Sequence, residues 1–258
     1  MNLKIQNLIF SYNSHPVLKG INFEIGPGEF VVIVGPNGSG KSTLLKNINA
    51  ILKPKKGDIS LDQKNIQSIK RNDLAKNMSF VAQSESANSY LSVYDTLLLG
   101  RKPYIQWFPT SEDNSIIEET INQLKLEEIV LRNINNISGG QRQKVNIGRA
   151  LVQQTEILLL DEPTASLDLK HQLEVLNLLQ EEVKKGKTVI IAIHDLNLAL
   201  KYCTKVIMIK EGEIFAIGGK EVVNQANIEH VYDVKVSIFE DKENLFIIPQ
   251  APVLVSHG

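Results

Sequence analysis

Residues 30–35 read FVVIVG and run directly into Gly-Pro-Asn-Gly-Ser-Gly-Lys-Ser-Thr (35–43), then Leu44-Leu45-Lys46-Asn47-Ile48. A short run that is almost wholly apolar and β-branched predicts a strand buried on both faces, the place of a parallel strand inside an α/β sheet. The residues after the loop have helical character. Strand, glycine loop and helix, in that order, are the context a phosphate-binding loop needs. Gly35, Gly38 and Gly40 let the backbone curl so that successive N–H groups converge on phosphate oxygens. Pro36, Asn37, Ser39 and Thr43 complete the loop. The free N–H groups and dipole of the following helix add to that field. Lys41 is placed to reach β- and γ-phosphates, and the Ser42 hydroxyl to ligate Mg²⁺. The alternative is a chance glycine turn between a core strand and a helix, and the completeness of the motif argues against it.

Residues 156–163, EILLLDEP, predict a second buried strand that ends in Asp161 and Glu162. Ligands of a parallel sheet bind at the carboxyl ends of its strands. The acidic pair is therefore expected to face the phosphates, with Asp161 holding Mg²⁺ through water and Glu162 polarising the attacking water. Two solvated acids at a strand end would be the bland reading, and the loop described above weighs against it.

Around these two strands the organisation is readable. Residues 1–30 alternate apolar and polar, with Gly26-Pro27-Gly28 as a turn, and predict an antiparallel layer. Residues 30–83 and about 152–220 predict the mostly parallel sheet with its helices. Helical patterns dominate 84–151. Residues 205–219 read as a hairpin around Glu211-Gly212, and 234–249 as a final hairpin turning at 241–244. The formal charge is −1 over 258 residues with no basic block, so no nucleic-acid partner is expected. Cys203 is the single cysteine, which excludes an internal disulfide and fits a reducing compartment. The N-terminus reads as a strand rather than a signal peptide, and the longest apolar runs are of strand length, so the chain is not expected to span a membrane by itself.

With Ile137-Ser138-Gly139-Gly140-Gln141 placed just before the acidic strand, the chain resembles the ATP-binding subunits of ABC transporters over nearly its whole length. The resemblance implies an α/β fold: a P-loop NTPase core, a mostly parallel sheet with flanking helices, plus an antiparallel β layer and an inserted helical lobe. It implies one ATP-binding domain, with 1–83 and 152–232 as core, 84–151 as the lobe and 233–258 as a tail. The family signature usually begins with Leu; Ile137 keeps an apolar anchor there. Ser138 and the Gly139 and Gly140 amides open a helix (about 139–153), a second anion site at a helix N-terminus. Gln83 matches the glutamine that contacts Mg²⁺ and senses the γ-phosphate. His194 matches the switch histidine, Asp168 the loop that crosses to the partner subunit, and Tyr12 the aromatic that stacks on adenine. Tyr12 has packing as its alternative, and Asp168 can equally cap the helix beginning near Leu169.

The mechanism implied by the family needs two copies. A signature segment cannot reach its own phosphate loop, so two chains meet head to tail with ATP between them, and hydrolysis releases the halves. Glu162 would act as base, while His194 and Lys41 stabilise charge. Residues 92–104 (SVYDTLLLGRKPY) and 166–179 resemble the branch serving importers of iron–siderophore complexes, haem and cobalamin. There the Gly-Arg-x-Pro segment lies in the lobe that receives an integral membrane permease, and a substrate-binding protein acts indirectly. The expected location is the cytoplasmic face of the membrane. A groove lined by Tyr90, Leu91, Tyr94, Trp107 and Phe108 is the expected anchor for the permease. A permease-free ABC ATPase, such as an iron–sulfur assembly scaffold, and an exporter ATPase stand as the alternatives.

Overall fold

The computed structural model describes residues 1–83, 90–165, 167–241 and 244–252. In chain order, alternating apolar residues form β1 (Leu3–Tyr12), and β2 (His15–Ile25) returns antiparallel beside it. The all-buried β3 (Phe30–Val34) leads through the glycine loop into α1 (Lys41–Ile48). Then come β4 (Lys56–Leu61), β5 (Lys64–Asn65), α2 (Arg71–Asn77) and β6 (Met78–Val81). The helices α3 (Val93–Gly100), α4 (Ser111–Leu124) and α5 (Gly139–Val152) follow. The chain re-enters the core with β7 (Ile157–Asp161), α6 (Leu169–Lys184), β8 (Thr188–Ala192) and α7 (Leu196–Tyr202). It closes with β9 (Lys205–Lys210), β10 (Glu213–Gly218), α8 (Gln225–Tyr232), β11 (Val234–Asp241) and β12 (Asn244–Pro252).

Two layers share the core. One sheet runs β10-β9-β3-β8-β7-β6, parallel except for β10. Every residue of β3, β7 and β8 is buried, as continuous apolar strands between two layers must be. Alternation sorts their side chains. Val32, Val34, Leu158, Leu160, Val189 and Ile191 pack with α5, α6 and α7, while Val31, Ile33, Leu159 and Ile190 pack with α1 and the antiparallel layer. A third apolar cluster, among them Val93, Leu97, Ile117, Ile121 and Val145, sits inside α3, α4 and α5.

The antiparallel layer is larger than residues 1–30. It runs β2-β1-β4-β5, so residues 56–65 belong to it and not to the parallel sheet expected for 30–83. The cause is local. Asp62 and Gln63 both take positive φ, 45° and 67°, which is a two-residue hairpin turn that folds β5 back on β4. Glu211 and Gly212 make the same kind of turn between β9 and β10, with φ of 50° and 83°. The terminal hairpin pairs Asp241 with Asn244, in the register expected, and residues 242–243 and 253–258 lie outside the described ones.

Candidate nucleotide-binding site

The glycine loop leaves β3 at its carboxyl end. Gly35 has φ 153°, and a Cβ there would sit 2.1 Å from the carbonyl oxygen of Ile209 on β9. Only glycine lets the loop lie this close to the neighbouring strand. Gly40 has φ 107° and faces Leu18 and Val17. The turn after β9 supports the loop from below, Gly212 N–H donating to Ser39 O at 3.1 Å. Lys41 is buried, and its Nζ donates to Gly35 O (2.8 Å) and Pro36 O (3.0 Å). Burial lowers the Lys41 pKa, against the opposing pull of the Glu162 and Asp161 carboxylates.

Opposite the loop stands the end of β7. Ser42 Oγ donates to Asp161 Oδ1 at 2.8 Å. Burial pushes the Asp161 carboxyl above its ordinary pKa; the Ser42 bond pulls it down and the Glu162 charge adds to the rise. Glu162 takes φ 50°, in the left-handed region, an uncommon conformation for a residue with a long side chain. Its N–H is held by Ala192 O at 3.0 Å, so the end of β8 clamps the turn. Gln83 Nε2 donates to Glu162 Oε2 at 2.6 Å, and His194 Nε2 meets Oε1 of the same carboxylate. One carboxylate thus gathers the ends of β6, β7 and β8.

These groups open into a cleft of about 440 Å³ lined by Val17, Asn37, Gly38, Gly40, Lys41, Ser42, Thr43, Gln83 and Glu162. Ser39 Oγ is buried at the loop and has no hydrogen-bond partner among the described residues.

Three expected site elements lie apart from this cleft. Ser138 caps α5, its Oγ accepting from Gln141 N–H at 3.2 Å while Gln141 Oε1 accepts from Ser138 N–H at 3.0 Å. This capping box leaves the amides of Gly139 and Gly140 at the open helix start. Asp168 caps α6, accepting from His171 N–H at 2.9 Å, and also touches His171 Nδ1. Tyr12 is 45% exposed and stands edge-on to Phe10, with ring centroids 4.9 Å apart. Among the described residues, none of Ser138–Gln141, Asp168 or Tyr12 lines the cleft of its own chain; Val17, absent from the sequence reading, does.

A second cleft, of about 420 Å³, opens where α1, α2, β6 and the end of α5 meet. Asn49, Ala50, Phe80, Arg149 and Gln153 line it, residues that carry no local sequence signal. Of the groove expected nearby, Tyr90, Trp107 and Phe108 stand out in solvent at 99, 88 and 83% exposure. Tyr94 is half-buried and its hydroxyl donates to Asn114 Oδ1. Arg101 of the Gly-Arg-x-Pro segment is not at a surface. It is 4% exposed, with Nε on Asp113 Oδ1 and Nη1 on Val152 O, both at 2.8 Å.

Phosphate loop, acidic strand end and inserted helical body together define an α/β nucleotide-binding cassette. The family profile described as ABC transporter matches residues 18–165, and the chain belongs to that family. It is 47% identical to an uncharacterised ABC transporter ATP-binding protein of Methanocaldococcus jannaschii, over 96% of each chain. It is 36% identical to a petrobactin import ATP-binding protein of Bacillus anthracis, over 99% of this chain and 93% of that one. Among solved structures it resembles a metal-chelate type ABC transporter in an inward-facing conformation, with TM-score 0.82 and 29% identity over 96% of this chain and 97% of that one. Cassettes of this family bind and hydrolyse ATP, and the chain is an ATP-binding subunit of such a transporter.

Proposed function

We propose that this subunit is the ATP-hydrolysing motor of an importer for an iron complex, such as a siderophore or haem, or for cobalamin. The observation that carries the chemistry is the Glu162 carboxylate held between Gln83 and His194 beside the Lys41 loop. In that position Glu162 is the base that orients and deprotonates the attacking water. Lys41 and His194 balance charge that develops on the γ-phosphate, and Gly35–Thr43 with its N–H groups holds the phosphate chain. Tyr12, exposed beside Phe10 and outside the cleft lining, is the aromatic ring assigned to adenine.

A divalent cation fits the donor set. Ser42 and Asp161 sit 2.8 Å apart, and Asp161 is a buried carboxylate whose charge lacks full compensation. Ser42, Asp161 and Gln83 would hold Mg²⁺, whose charge would neutralise the triphosphate. The protein's part is to present an acceptor, a hydroxyl and an amide on one side of the cleft.

The signature residues do not line their own chain's cleft, which supports a pair of copies meeting head to tail. Each Ser138–Gln141 segment then covers the other's γ-phosphate, and each Asp168 loop crosses the interface. The second cleft, beside Phe80 and Arg149, is where an integral membrane permease docks at the cytoplasmic face, with a substrate-binding protein acting on the far side. No helix among the described residues is long and apolar enough to cross a membrane. The import branch is supported by the siderophore-related names of several relatives.

The test is Glu162→Gln, purified with ATP and Mg²⁺ from its native cells in detergent. Expected are ATP binding, turnover lower by about 10²-fold or more, and co-purification of a many-spanning membrane protein. Near-normal turnover overturns the base assignment. Recovery of soluble partners alone overturns the importer reading in favour of a permease-free ATPase.

A further inference from the structure

The surface beside the second cleft combines exposed cations with exposed aromatic side chains. α2 carries Arg71 and Lys76, preceded by Lys70, all exposed. The turn after α3 lies against α2. Asn72 Nδ2 donates to Pro103 O at 3.1 Å, and Lys76 Nζ stands 5.5 Å from the centre of the Tyr104 ring. Lys102 is exposed on the same turn, and Trp107 and Phe108 follow three and four residues after Tyr104. One continuous surface, built from the sheet body and the helical body together, therefore presents Lys70, Arg71, Lys76 and Lys102 next to two solvated aromatic rings. Within 70–77 and 101–110 Asp73 is the one exposed acid against these four cations, while the exposed acids of the flanking helices are Asp95 on α3 and Glu112, Glu118 and Glu119 on α4.

We infer that this surface binds the anionic phospholipid headgroups of the leaflet beside the permease, with Trp107 and Phe108 entering the interface. The orientation rests on the reading of the second cleft as the permease dock, because Arg71 and Ala75 of α2 line that cleft. Chemistry selects the occupant. Lysine and arginine clusters are drawn to the negative potential of a leaflet, and amphipathic aromatic rings settle at headgroup depth. A protein partner would cover the rings with complementary apolar surface, and the flanking lysines, long and fully hydrated, are poorly suited to such an interface.

Trp107 is the only tryptophan in the chain, so its fluorescence reports this surface alone. The experiment titrates the purified full chain with bare vesicles of phosphatidylcholine, with and without phosphatidylglycerol. Expected are a blue shift and quenching by brominated lipid, with binding about 10-fold or more tighter to the anionic vesicles. Raising the salt to 0.5 M should abolish most of it. Lys70→Gln/Lys76→Gln/Lys102→Gln, checked for unchanged melting and ATPase rate, should lose the preference for anionic vesicles. No spectral change with anionic vesicles, or an equal response to both compositions, overturns the proposal. A shift that requires reconstituted permease and never occurs with bare vesicles also overturns it and assigns Trp107 to a protein interface. None of these outcomes bears on the Glu162 chemistry.

Discussion

Asn197 grips the backbone of Ile247 at both polar groups, its Nδ2 donating to the carbonyl oxygen at 3.1 Å and its Oδ1 accepting from the N–H at 2.7 Å. A side-chain amide is here standing in for a neighbouring strand, and it fastens β12 to the first turn of α7. That turn begins two residues after His194, with Asp195 as its cap. The terminal hairpin is thereby tied to the helix that follows the switch histidine.

Replacing Asn197 by Ala should cost about 2 kcal/mol, from two half-buried hydrogen bonds worth about 1 kcal/mol each. Thermal melting should fall by about 4 to 8 °C for a chain of this size. Turnover should drop several-fold with little change in the KM for ATP, since His194 is loosened while the phosphate loop is untouched. Asn197→Asp, which keeps the acceptor and loses the donor, should fall between. Unchanged melting of the Ala variant would sink the clamp.

Arg101 and Asp113 form a buried pair in the helical body, each side chain 4% exposed. The guanidinium also reaches Val152 O and stacks over Tyr104 at 4.1 Å, so one side chain joins the ends of α3 and α5 to the start of α4. Arg101→Ala leaves a buried carboxylate uncompensated and should cost about 3 to 5 kcal/mol at neutral pH. Arg101→Lys should rescue little, because an ammonium cannot fill the fork. Burial raises the Asp113 carboxyl, but the Thr110 backbone bond and Arg101 outweigh it and hold the pKa below the usual range. A lowered folded pKa gives stability that is full above the unfolded value, about 4, and is lost as pH falls through the folded value. The gap between wild type and Arg101→Ala should therefore narrow below about pH 4, and a gap independent of pH would contradict the pairing.

How much of this was legible depends on distance along the chain. The phosphate loop, the Asp161–Glu162 strand end and the start of α5 are contiguous segments whose strand or helix context lies beside them, and each forms as read. The contact of Gln83 and His194 with Glu162 spans 79 and 32 residues and exists because β6, β7 and β8 are neighbours in the sheet. Periodicity gives no strand order, so only resemblance to a family placed those two residues. Residues 56–65 were expected in the parallel sheet and join the antiparallel layer instead, because the Asp62-Gln63 turn folds β5 back on β4, a pairing that a short two-residue strand does not announce. Arg101 illustrates the opposite limit. An arginine at the end of an apolar helix reads as surface, and its burial follows from Asp113 lying on a different helix. Asn197 is equally silent, since its partner is a backbone.

Asp161 sets stability against chemistry. Burial and the Glu162 charge raise its pKa in spite of the Ser42 hydrogen bond. A carboxyl with a raised folded pKa contributes stability that is full below its unfolded value and is lost as pH rises through the folded value. The place therefore disfavours the charged form of Asp161. Asp161→Asn keeps an acceptor for Ser42 and removes that charge, so it should melt higher than wild type at pH 7. The margin should shrink as pH falls and the wild-type carboxyl takes up its proton. The same variant should lose Mg²⁺-dependent hydrolysis, and added Mg²⁺ with ATP should raise its melting temperature less than that of the wild type. Paired melts at pH 7 and pH 5, with and without Mg²⁺ and ATP, check all three expectations. A variant that melts below the wild type at pH 7 would mean that Lys41 and Lys46 already compensate the charge, and that Asp161 is an ordinary ion-pair partner.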